Sequence, residues 1–303
     1  MVKNNSNIVI IGLSGESVFL ETDHFHRDGE TIRATQKITE PGGKGYNQAV
    51  AASILGSNVT FLTTIGNDAY GKYAIEYLKN KNINVKYRLI SDLPTAYATI
   101  LTDKFGKNQV TVFSGASSCM NKNDVSLIEE DIKNADYVLL QLEVNKEIIL
   151  ETITIAKNNN VKVVLNPAPA LYMIEDEVFE NVDILTPNEV EVRDIFNIPN
   201  SISVSEYGEY LQKIVNNTVV VTLGGRGCLL VKRNYYKYFD PIVVNAVDTT
   251  GAGDVFNAGL VTMLSKGFDI EEAINFAIKV SAESVTKKYV MNAINGLEKY
   301  KIN

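Results

Sequence analysis

The stretch VDTTGAGDVFNAGL at residues 247–260 places three small residues directly before an aspartate. Glycine and alanine let an anion approach the backbone closely, and the N–H groups at the start of a helix are unpaired and partially positive. Gly251, Ala252 and Gly253 therefore predict an anion hole suited to a phosphoryl group. Asp254 could accept the proton of an attacking hydroxyl beside that hole. A tight turn with Asp254 as a helix cap is the other interpretation, and a short glycine motif alone does not decide between them.

A second glycine-rich stretch, PGGKGYNQAVAASILG, occupies residues 41–56. It is not a P-loop, because the GxxxxGK[ST] spacing is absent. Gly42 and Gly43 would let a polyol approach the backbone, and Asn47 on the following helix would hydrogen-bond to a hydroxyl. The other interpretation is a glycine loop in which Lys44 is solvated.

The stretch TPNEVEV at residues 186–192 spaces an asparagine and a glutamate three positions apart. On a helix, Asn188 and Glu191 would share a face and could organise the water around Mg²⁺, which keeps much of its hydration shell. A capped helix with a solvated glutamate is the alternative. The stretch VTLGGRG at 221–227 has glycines that make room for a flat group or a phosphate, and Arg226 could reach an anion.

These motifs must be positioned by an α/β framework. Continuous β-branched runs are typical of strands buried on both faces of a parallel sheet; they occupy residues 7–13, 58–66, 136–143, 161–170, 182–188 and 218–225. Helical patterns lie between them at residues 47–56, 71–83 and 146–160. The alternation predicts helices on both faces of one sheet. Gln141, Glu143 and the NPAPA run at 166–170 follow strands, where the ligand sites of parallel sheets lie.

Two segments break this alternation. Residues 18–40 and 95–113 read as short alternating strands, with a hairpin turn at DKFGKN (103–108). We expect half-exposed antiparallel strands that form a small flap or lid beside the parallel core. The simplest organisation is a single domain over residues 1–303 with this lid attached.

Composition excludes several classes of function. The 303-residue chain carries a net charge of -7, which argues against broad electrostatic binding to nucleic acid or to an anionic membrane. No window approaches the length of a membrane span. The two cysteines, Cys119 and Cys228, have no metal-ligand spacing and predict a reduced, cytoplasmic protein without a disulfide framework.

Taken together, the motifs resemble the ribokinase or PfkB family of carbohydrate kinases. The family's two signatures are similar to GGKGYNQAVAASILG and DTTGAGDVFNAGL, and LNPAPA, TPNEVE and VTLGGRG fall between them in the expected order. The resemblance covers essentially the whole chain and is strongest to the ribokinase branch. It implies a three-layer α/β/α fold with a central, mostly parallel sheet and a small β-strand lid, which in relatives can also be a homodimer interface.

The resemblance also implies an activity: ATP-dependent transfer of the γ-phosphoryl group to a primary hydroxyl of a sugar, with Mg²⁺. Asp254 would be the catalytic base, and Gly251, Ala252 and Gly253 the anion hole. The sugar pocket would include Gly42, Gly43, Lys44, Asn47, Glu143 and Asp254. The nucleotide would face Asn188, Thr222, Gly224 and Gly227, with Glu191 near Mg²⁺ through water. Asp248 and Thr250 would begin a loop that binds a monovalent cation such as K⁺.

The chain departs from the family pattern at the first strand. A G-x-x-N-x-D pattern in the family places an asparagine and an aspartate on the sugar hydroxyls, whereas this chain has Gly15 and Ser17 there. Glu16 is one residue off and would point to the opposite face. A larger or differently decorated substrate could use the space vacated at Gly15, so kinases for fructose, a ketodeoxy-sugar or a nucleoside are alternatives to a ribose kinase.

A second departure lies at the end of the cation loop, where VTKKYVMNA (285–293) has Tyr289 in place of a glycine. Tyrosine can offer a backbone carbonyl but not the dihedral angles of glycine, so activation by K⁺ is an open question. A non-catalytic sugar- or nucleotide-binding protein of kinase descent is the alternative from another functional class.

Overall fold

The structure is a computed structural model that describes residues 3, 6–169 and 176–302; Ala170, the last residue of the NPAPA run, lies outside the described residues. Thirteen strands are present in the described part of the chain: β1 (Asn7–Ile11), β2 (Gly15–Glu21), β3 (Gln36–Gly42), β4 (Asn58–Gly66), β5 (Asn84–Ile90), β6 (Ala96–Thr102), β7 (Asn108–Phe113), β8 (Tyr137–Gln141), β9 (Lys162–Asn166), β10 (Ile184–Leu185), β11 (Thr218–Thr222), β12 (Cys228–Lys232) and β13 (Tyr235–Phe239).

Nine of these strands form the main sheet in the order β13-β12-β11-β10-β9-β8-β1-β4-β5. The strands from β11 to β5 pair in parallel, and β12 and β13 add an antiparallel edge. The predicted, mostly parallel sheet is therefore confirmed. Apart from β4, which fills the run at 58–66, the strands are shorter than the apolar runs, and the run at 182–188 contains only the two residues of β10.

Helices cover both faces of the main sheet. They are α1 (Lys44–Ile54), α2 (Ala69–Asn80), α3 (Glu129–Lys133), α4 (Lys146–Asn158), α5 (Asp176–Glu180), α6 (Glu189–Ile195), α7 (Tyr207–Leu211), α8 (Ala252–Ser265), α9 (Ile270–Ser284) and α10 (Val290–Asn295). Successive side chains of β1 point to opposite faces. Ile8 and Ile10 join the core beneath α1, α8 and α9, whereas Val9 and Ile11 join the core beneath α4. Three layers, α/β/α, result as predicted.

The remaining four strands form a second sheet, called the small sheet below, in the order β3-β2-β6-β7. Its hairpin turn is confirmed, because Asp103 Oδ1 accepts hydrogen bonds from the N–H groups of Phe105 and Lys107 at 2.9 Å each. The prediction of purely antiparallel strands was wrong, because β2 and β6 pair in parallel. The small sheet also begins earlier than expected, at Gly15. That residues 1–303 form one domain in which this sheet acts as a lid stays a prediction.

Candidate active site

Helix α8 brings the predicted catalytic residues to the carboxyl edge of the main sheet. Gly251 precedes the helix with φ 75°, in the left-handed region that favours glycine. The N–H of Ala252 donates to the carbonyl oxygen of Thr249 at 3.3 Å. The N–H groups of Gly253 and Asp254 have no hydrogen-bond partner within the described part of the chain and remain available to an anion. If this turn binds an anion as predicted, two free amides rather than three are available to it.

Asp254 lies in the first turn of α8 with 5% of its surface exposed. Its carboxylate does not cap its own helix; the side chain is held from α1 instead. Asn47 Nδ2 donates to Oδ2 at 2.8 Å, and Gln48 Nε2 donates to Oδ1 at 3.1 Å. These two amides fix the orientation of the carboxylate and leave each oxygen with a further lone pair.

The groups around Asp254 counteract the effect of burial on its pKa. Burial raises the pKa of Asp254, and the Lys44 ammonium together with the Asn47 and Gln48 amides counteracts that rise. Burial alone would lower the pKa of Lys44, but the carboxylates of Asp254, Glu143 and Glu191 raise it above its ordinary value. Lys44 therefore stays charged among three carboxylates and can attract a phosphate group.

Glu143, which follows β8, contacts the start of α1. Its Oε2 accepts a hydrogen bond from the backbone N–H of Lys44 at 2.7 Å. Burial raises the pKa of Glu143 to about 7; the Lys44 charge works against the rise and the Asp254 charge adds to it. The sequence-predicted residues Lys44, Asn47, Glu143 and Asp254 thus come together as one cluster.

A buried polar network extends from this cluster beneath the site, and sequence reasoning did not identify it. Its side chains are buried amides and one hydroxyl, and each donates a hydrogen bond to the next. The donors and acceptors are Gln141 Nε2 to Gln48 Oε1 (2.5 Å), Gln48 Nε2 to Asn166 Oδ1 (3.2 Å), Asn166 Nδ2 to the Thr186 carbonyl (3.1 Å), Thr186 Oγ1 to Asn257 Oδ1 (2.6 Å) and Asn257 Nδ2 to the Gly253 carbonyl (2.9 Å). The available signal was a lone amide within an apolar helical run, as in QAVAA and VFNAG. Buried amides of this kind require partners.

A cavity of about 710 Å³ opens beside Asp254. Ten of the predicted site residues line it, namely Lys44, Asn188, Glu191, Thr222, Gly224, Gly227, Gly251, Ala252, Gly253 and Asp254. Its outer wall is an apolar loop that includes Ile242, Val243 and Val244, which are 46%, 91% and 37% exposed. Gly42, Gly43, Asn47 and Glu143 do not contribute to its described lining and lie on the α1 side of Asp254.

Asn188 and Glu191 form a capping box at the start of α6. Asn188 Oδ1 accepts hydrogen bonds from the N–H groups of Val190 and Glu191, and Glu191 Oε2 accepts one from the Asn188 N–H at 2.8 Å. The capped-helix interpretation is therefore correct for this pair, except that Glu191 is only 6% exposed and faces the cavity. Within the described residues, no hydrogen bond to its second oxygen is present.

Arg226 is not part of the described lining of the cavity, and its guanidinium pairs with the Glu189 carboxylate. That Arg226 could reach an anion stays a prediction. Thr222, Gly224 and Gly227 do surround the cavity, and Gly227 approaches the backbone of Phe239 so closely that a side chain could not be added.

The two segments of the predicted cation loop are adjacent. Asp248 Oδ1 accepts the Thr250 N–H at 2.9 Å, and Asp248 Oδ2 accepts the Tyr289 N–H at 3.1 Å. Tyr289 has φ 68° and ψ 139°. The expectation that tyrosine would not take the dihedral angles of glycine was wrong, since its positive φ is retained here.

Gly15 and Ser17, the first departure from the family pattern, are packed within the small sheet. A Cβ atom on Gly15 would lie 2.7 Å from the carbonyl oxygen of Ala96, its neighbour in β6. The expected vacated space is therefore filled by the β6 backbone, and that expectation was wrong. Ser17 lies against Gly42 across the β2–β3 pair, with its hydroxyl in the position that a Cβ on Gly42 would need.

Comparisons with known proteins agree with this geometry. The pattern of the pfkB family carbohydrate kinases matches residues 5–295. The chain is 34% identical over 298 residues to the ribokinase of Staphylococcus aureus (97% of this chain, 98% of that protein) and 31% identical over 304 residues to the deoxyribokinase of Salmonella typhi (97% of each). An Arabidopsis thaliana ribokinase structure in complex with ribose and ATP superposes with a TM-score of 0.85 at 27% identity, covering 98% of this chain and 100% of that one.

The described helices include none with the length and apolar character needed to cross a membrane. The family pattern, the relatives and the solved fold all extend over nearly the full chain and include the residues assembled around Asp254. This chain belongs to the pfkB family of carbohydrate kinases, and it is a sugar kinase.

Proposed function

We propose that this kinase transfers the γ-phosphoryl group of ATP to the primary hydroxyl of a pentose, with Asp254 as the base. The observation that carries the proposal is the Asp254 carboxylate, which is buried, oriented by two amides and placed beside two unpaired helix amides at the cavity wall. A base and an anion-stabilising group within one helical turn match the needs of phosphoryl transfer.

The proposed transfer breaks one bond for each bond that it forms. A carboxylate oxygen of Asp254 takes the proton of the acceptor hydroxyl while the hydroxyl oxygen forms a bond to the γ-phosphorus. The bond between that phosphorus and the bridging oxygen of ADP breaks, and ADP leaves. The N–H groups of Gly253 and Asp254 stabilise the charge on the transferring oxygens. The raised pKa of Asp254 makes it a better proton acceptor than an ordinary aspartate.

Lys44 supports the donor side of the reaction. Its ammonium is balanced by three carboxylates and lines the same cavity as Thr222, Gly224 and Gly227. We place the ATP phosphates along this wall and the adenine ring of ATP against the apolar loop at 241–247. The glycines allow phosphate oxygens to approach the backbone.

Glu191 is the residue that fits Mg²⁺. It is nearly buried, lines the cavity and keeps one carboxylate oxygen free, and Mg²⁺ is commonly held through one or two carboxylates and water. When bound, the ion would neutralise charge on the β- and γ-phosphates. Asn188 uses its oxygen to cap α6, so its amide nitrogen would donate to a phosphate instead.

The acceptor is proposed to be a pentose because the relatives include both a ribokinase and a deoxyribokinase at similar identity. The acceptor would lie between Asp254 and the small sheet, near Gly42, Gly43, Asn47 and Glu143. Gly15 carries no side chain that could pair with a hydroxyl, and Ser17 supplies one hydroxyl in place of a carboxylate. These residues favour a site that accepts ribose and 2-deoxyribose with limited discrimination.

We further propose that K⁺ binds between Asp248 and the backbone near Tyr289. The Asp248 carboxylate joins the two segments of this loop, and Thr250 follows it directly before α8. The test compares turnover in potassium and in tetramethylammonium chloride at equal ionic strength, and equal rates would remove K⁺ from the proposal.

A homodimer through the small sheet is also proposed. The edge strand β7 is exposed along its whole length, with Val110 and Val112 each 57% and Phe113 43% exposed. A long apolar edge strand is a template for pairing with a second chain. Light scattering on wild type and on Val112→Lys tests it, and a wild-type monomer would contradict it.

The two cysteines are free thiols, which agrees with a reducing compartment, and we propose the cytoplasm as the location. Fractionation of the source cells with an antibody against the chain would test this assignment.

The experiment for the main proposal measures ADP release with ATP-Mg²⁺ across D-ribose, 2-deoxy-D-ribose, fructose, a ketodeoxy-sugar and nucleosides. We expect turnover on a pentose, and its loss in Asp254→Asn, which keeps the size of the side chain. Asp269→Asn is the matched control, because Asp269 also lies at the start of a helix but far from the cavity. Turnover retained in Asp254→Asn would refute the role of Asp254, and preference for fructose or a nucleoside would refute the acceptor.

A further inference from the structure

Tyr289 has a backbone conformation that tyrosine rarely adopts. Its φ of 68° and ψ of 139° lie close to a region that is almost restricted to glycine, and the residue directly precedes α10. Such a conformation persists only when the surrounding contacts hold it, and it points to a role for the side chain that a glycine could not fulfil.

The backbone at this position lies against the start of α8. The Tyr289 N–H donates to Asp248 Oδ2 at 3.1 Å, and the other oxygen of Asp248 accepts the Thr250 N–H. Val290 packs so closely on Gly251 that a Cβ atom there would lie 2.8 Å from Val290 Cγ1. Residues 289–290 therefore contact the segment that leads into the anion hole.

The side chains of the same segment hold the small sheet. The Tyr289 ring meets the Phe19 ring edge-on, with 5.6 Å between centroids, and its hydroxyl lies 3.4 Å from Glu21 Oε1. Lys288 Nζ donates to the same carboxylate at 2.8 Å. Phe19 and Glu21 are two residues apart in β2 and so share a face of the sheet.

A third contact comes from the neighbouring strand. Glu40 in β3 accepts a hydrogen bond from the Met291 N–H at 3.3 Å, in the first turn of α10. The segment 288–291 is thus attached to two strands of the small sheet on one side and to the start of α8 on the other.

We infer that Tyr289 is a positioning residue that couples the small sheet to the N-terminus of α8. This inference rests on the proposed function, because it takes the acceptor to contact the small sheet and the phosphoryl group to contact α8. An acceptor that orders the small sheet would thereby order the anion hole and tighten nucleotide binding. The same coupling would tighten acceptor binding when nucleotide is present.

The first test is independent of any sugar. Tyr289→Gly suits the backbone and removes the ring, so the variant should fold. In hydrogen exchange on the ligand-free protein, we expect the hydrogen-bonded amides of Thr250, Ala252 and Val255 to exchange at least about tenfold faster in Tyr289→Gly than in wild type, with helix α4 unchanged. Faster exchange confined to residues 286–292, or no change, would overturn the inference.

The second test measures the coupling itself. Calorimetry gives the affinity for ADP-Mg²⁺ with and without D-ribose or 2-deoxy-D-ribose, whichever is turned over. We expect the sugar to tighten ADP binding roughly fivefold or more in wild type and less than about twofold in Tyr289→Gly. Full coupling in the variant would overturn the inference. Absence of turnover on any acceptor by wild type would instead refute the proposed function, and the exchange test would still apply.

Two variants act as controls. Tyr289→Phe keeps the ring on Phe19 and loses only the weak contact with Glu21, so it should retain the coupling. Tyr97→Ala removes an aromatic side chain from the opposite face of the small sheet, where Tyr97 packs on Phe113. An equal loss of coupling in Tyr97→Ala would show a general loosening of the sheet and would overturn the specific role of Tyr289.

Discussion

The two sides of the site differ in how their polar groups are satisfied. On the main-sheet side, Gln48 donates hydrogen bonds to both Asp254 and Asn166 in a buried network. On the small-sheet side, Gly15 contributes no side chain and Ser17 contributes one hydroxyl. The groups proposed to carry out the chemistry are therefore held by hydrogen bonds of the protein itself, whereas few groups of the small sheet are available to select the acceptor.

This difference agrees with where the chain departs from the family pattern. Both signatures, which supply Gln48, Asn257 and the proposed anion hole, are intact. The departures at Gly15, Ser17 and Tyr289 all involve the small sheet or its attachment. We therefore expect substitutions on the main-sheet side to change stability and turnover together, and substitutions or substrates on the small-sheet side to change selection.

The largest effect is expected for Gln48→Leu, which tests the main-sheet side. Leucine fits the buried position but leaves Gln141, Asn166 and one oxygen of Asp254 without their partner. We expect a loss of about 3 kcal/mol in the free energy of unfolding, measured by urea denaturation, because each unpaired buried group costs about 1–3 kcal/mol. Because Asp254 also loses one of its two positioning bonds, kcat should fall roughly tenfold to hundredfold.

Gln36→Leu is the control for this prediction, since Gln36 is an exposed glutamine in β3. It should leave both the urea midpoint and kcat unchanged. A Gln48→Leu enzyme with wild-type kcat at a temperature where it is folded would show that the network supports the fold without orienting Asp254.

The next effect concerns Glu143, which lies where the two sides meet. Its pKa is raised from an ordinary value of 4.5 to about 7, so the folded state binds the proton more tightly than the unfolded chain. The stability from this proton is fully present below pH 4.5 and is lost as the pH rises through about 7, with at most about 3 kcal/mol involved. Glu143→Gln should lack this loss, so its free energy of unfolding relative to wild type should rise over that window.

The measurement is urea denaturation of both proteins from acid to slightly alkaline pH, and only their difference is used. Glu147→Gln, at an exposed position in α4, is the matched control for the substitution itself. A flat difference for Glu143→Gln would mean that folding does not shift the pKa of Glu143.

A substrate pair tests the small-sheet side. A site that pairs with a hydroxyl rejects an analogue lacking it by about 10⁴–10⁵, whereas a site without that pairing discriminates by about 10–200-fold. With no side chain at Gly15, we expect kcat/KM for D-ribose and 2-deoxy-D-ribose to differ by less than about a hundredfold. A ratio well above this, in either direction, would mean that a group other than those at positions 15 and 17 reads the second carbon of the sugar.

Much of the main sheet could be predicted from sequence, because its strands are short runs of β-branched residues separated by amphipathic helices. Glu143 and Asp254 could be predicted to lie close together because they follow strands that end at one edge, whereas Lys44 and Asn47 were placed beside them by the resemblance to the family. The pairing partners within the small sheet could not. The parallel contact of β2 with β6 joins segments about eighty positions apart in the chain, and neither run encodes its neighbour's direction.

The network beneath Asp254 could not be predicted for a similar reason. Gln48 has partners on β8, β9 and α8, which become neighbours only after the sheet is assembled. The filled space at Gly15 likewise depends on a backbone carbonyl of β6, so the missing side chain was mistaken for a vacancy. The local sequence pattern therefore identified the chemical groups. Tertiary contacts determine which of these groups have hydrogen-bond partners within the protein and which do not.

The smallest effects are expected from substitutions of two glycines in the proposed anion hole, Gly251 and Gly253, whose surroundings differ. Gly251 has a positive φ, and a methyl group there would press on Val290, so Gly251→Ala should lose about 1–2 kcal/mol of stability. Gly253 lies in the helical turn with open space around its missing side chain, so Gly253→Ala should keep stability or gain up to about 1 kcal/mol.

At Gly253, the alanine substitution should lower turnover without lowering stability. Its methyl group would project into the cavity where the phosphoryl group is proposed to lie, so kcat/KM for ATP should fall although the protein is no less stable. Thermal unfolding and initial rates on both variants decide the point. A stable Gly253→Ala enzyme with wild-type kcat/KM would mean that the phosphoryl group does not approach this turn, and the anion hole would have to be sought on the Lys44 side of the cavity.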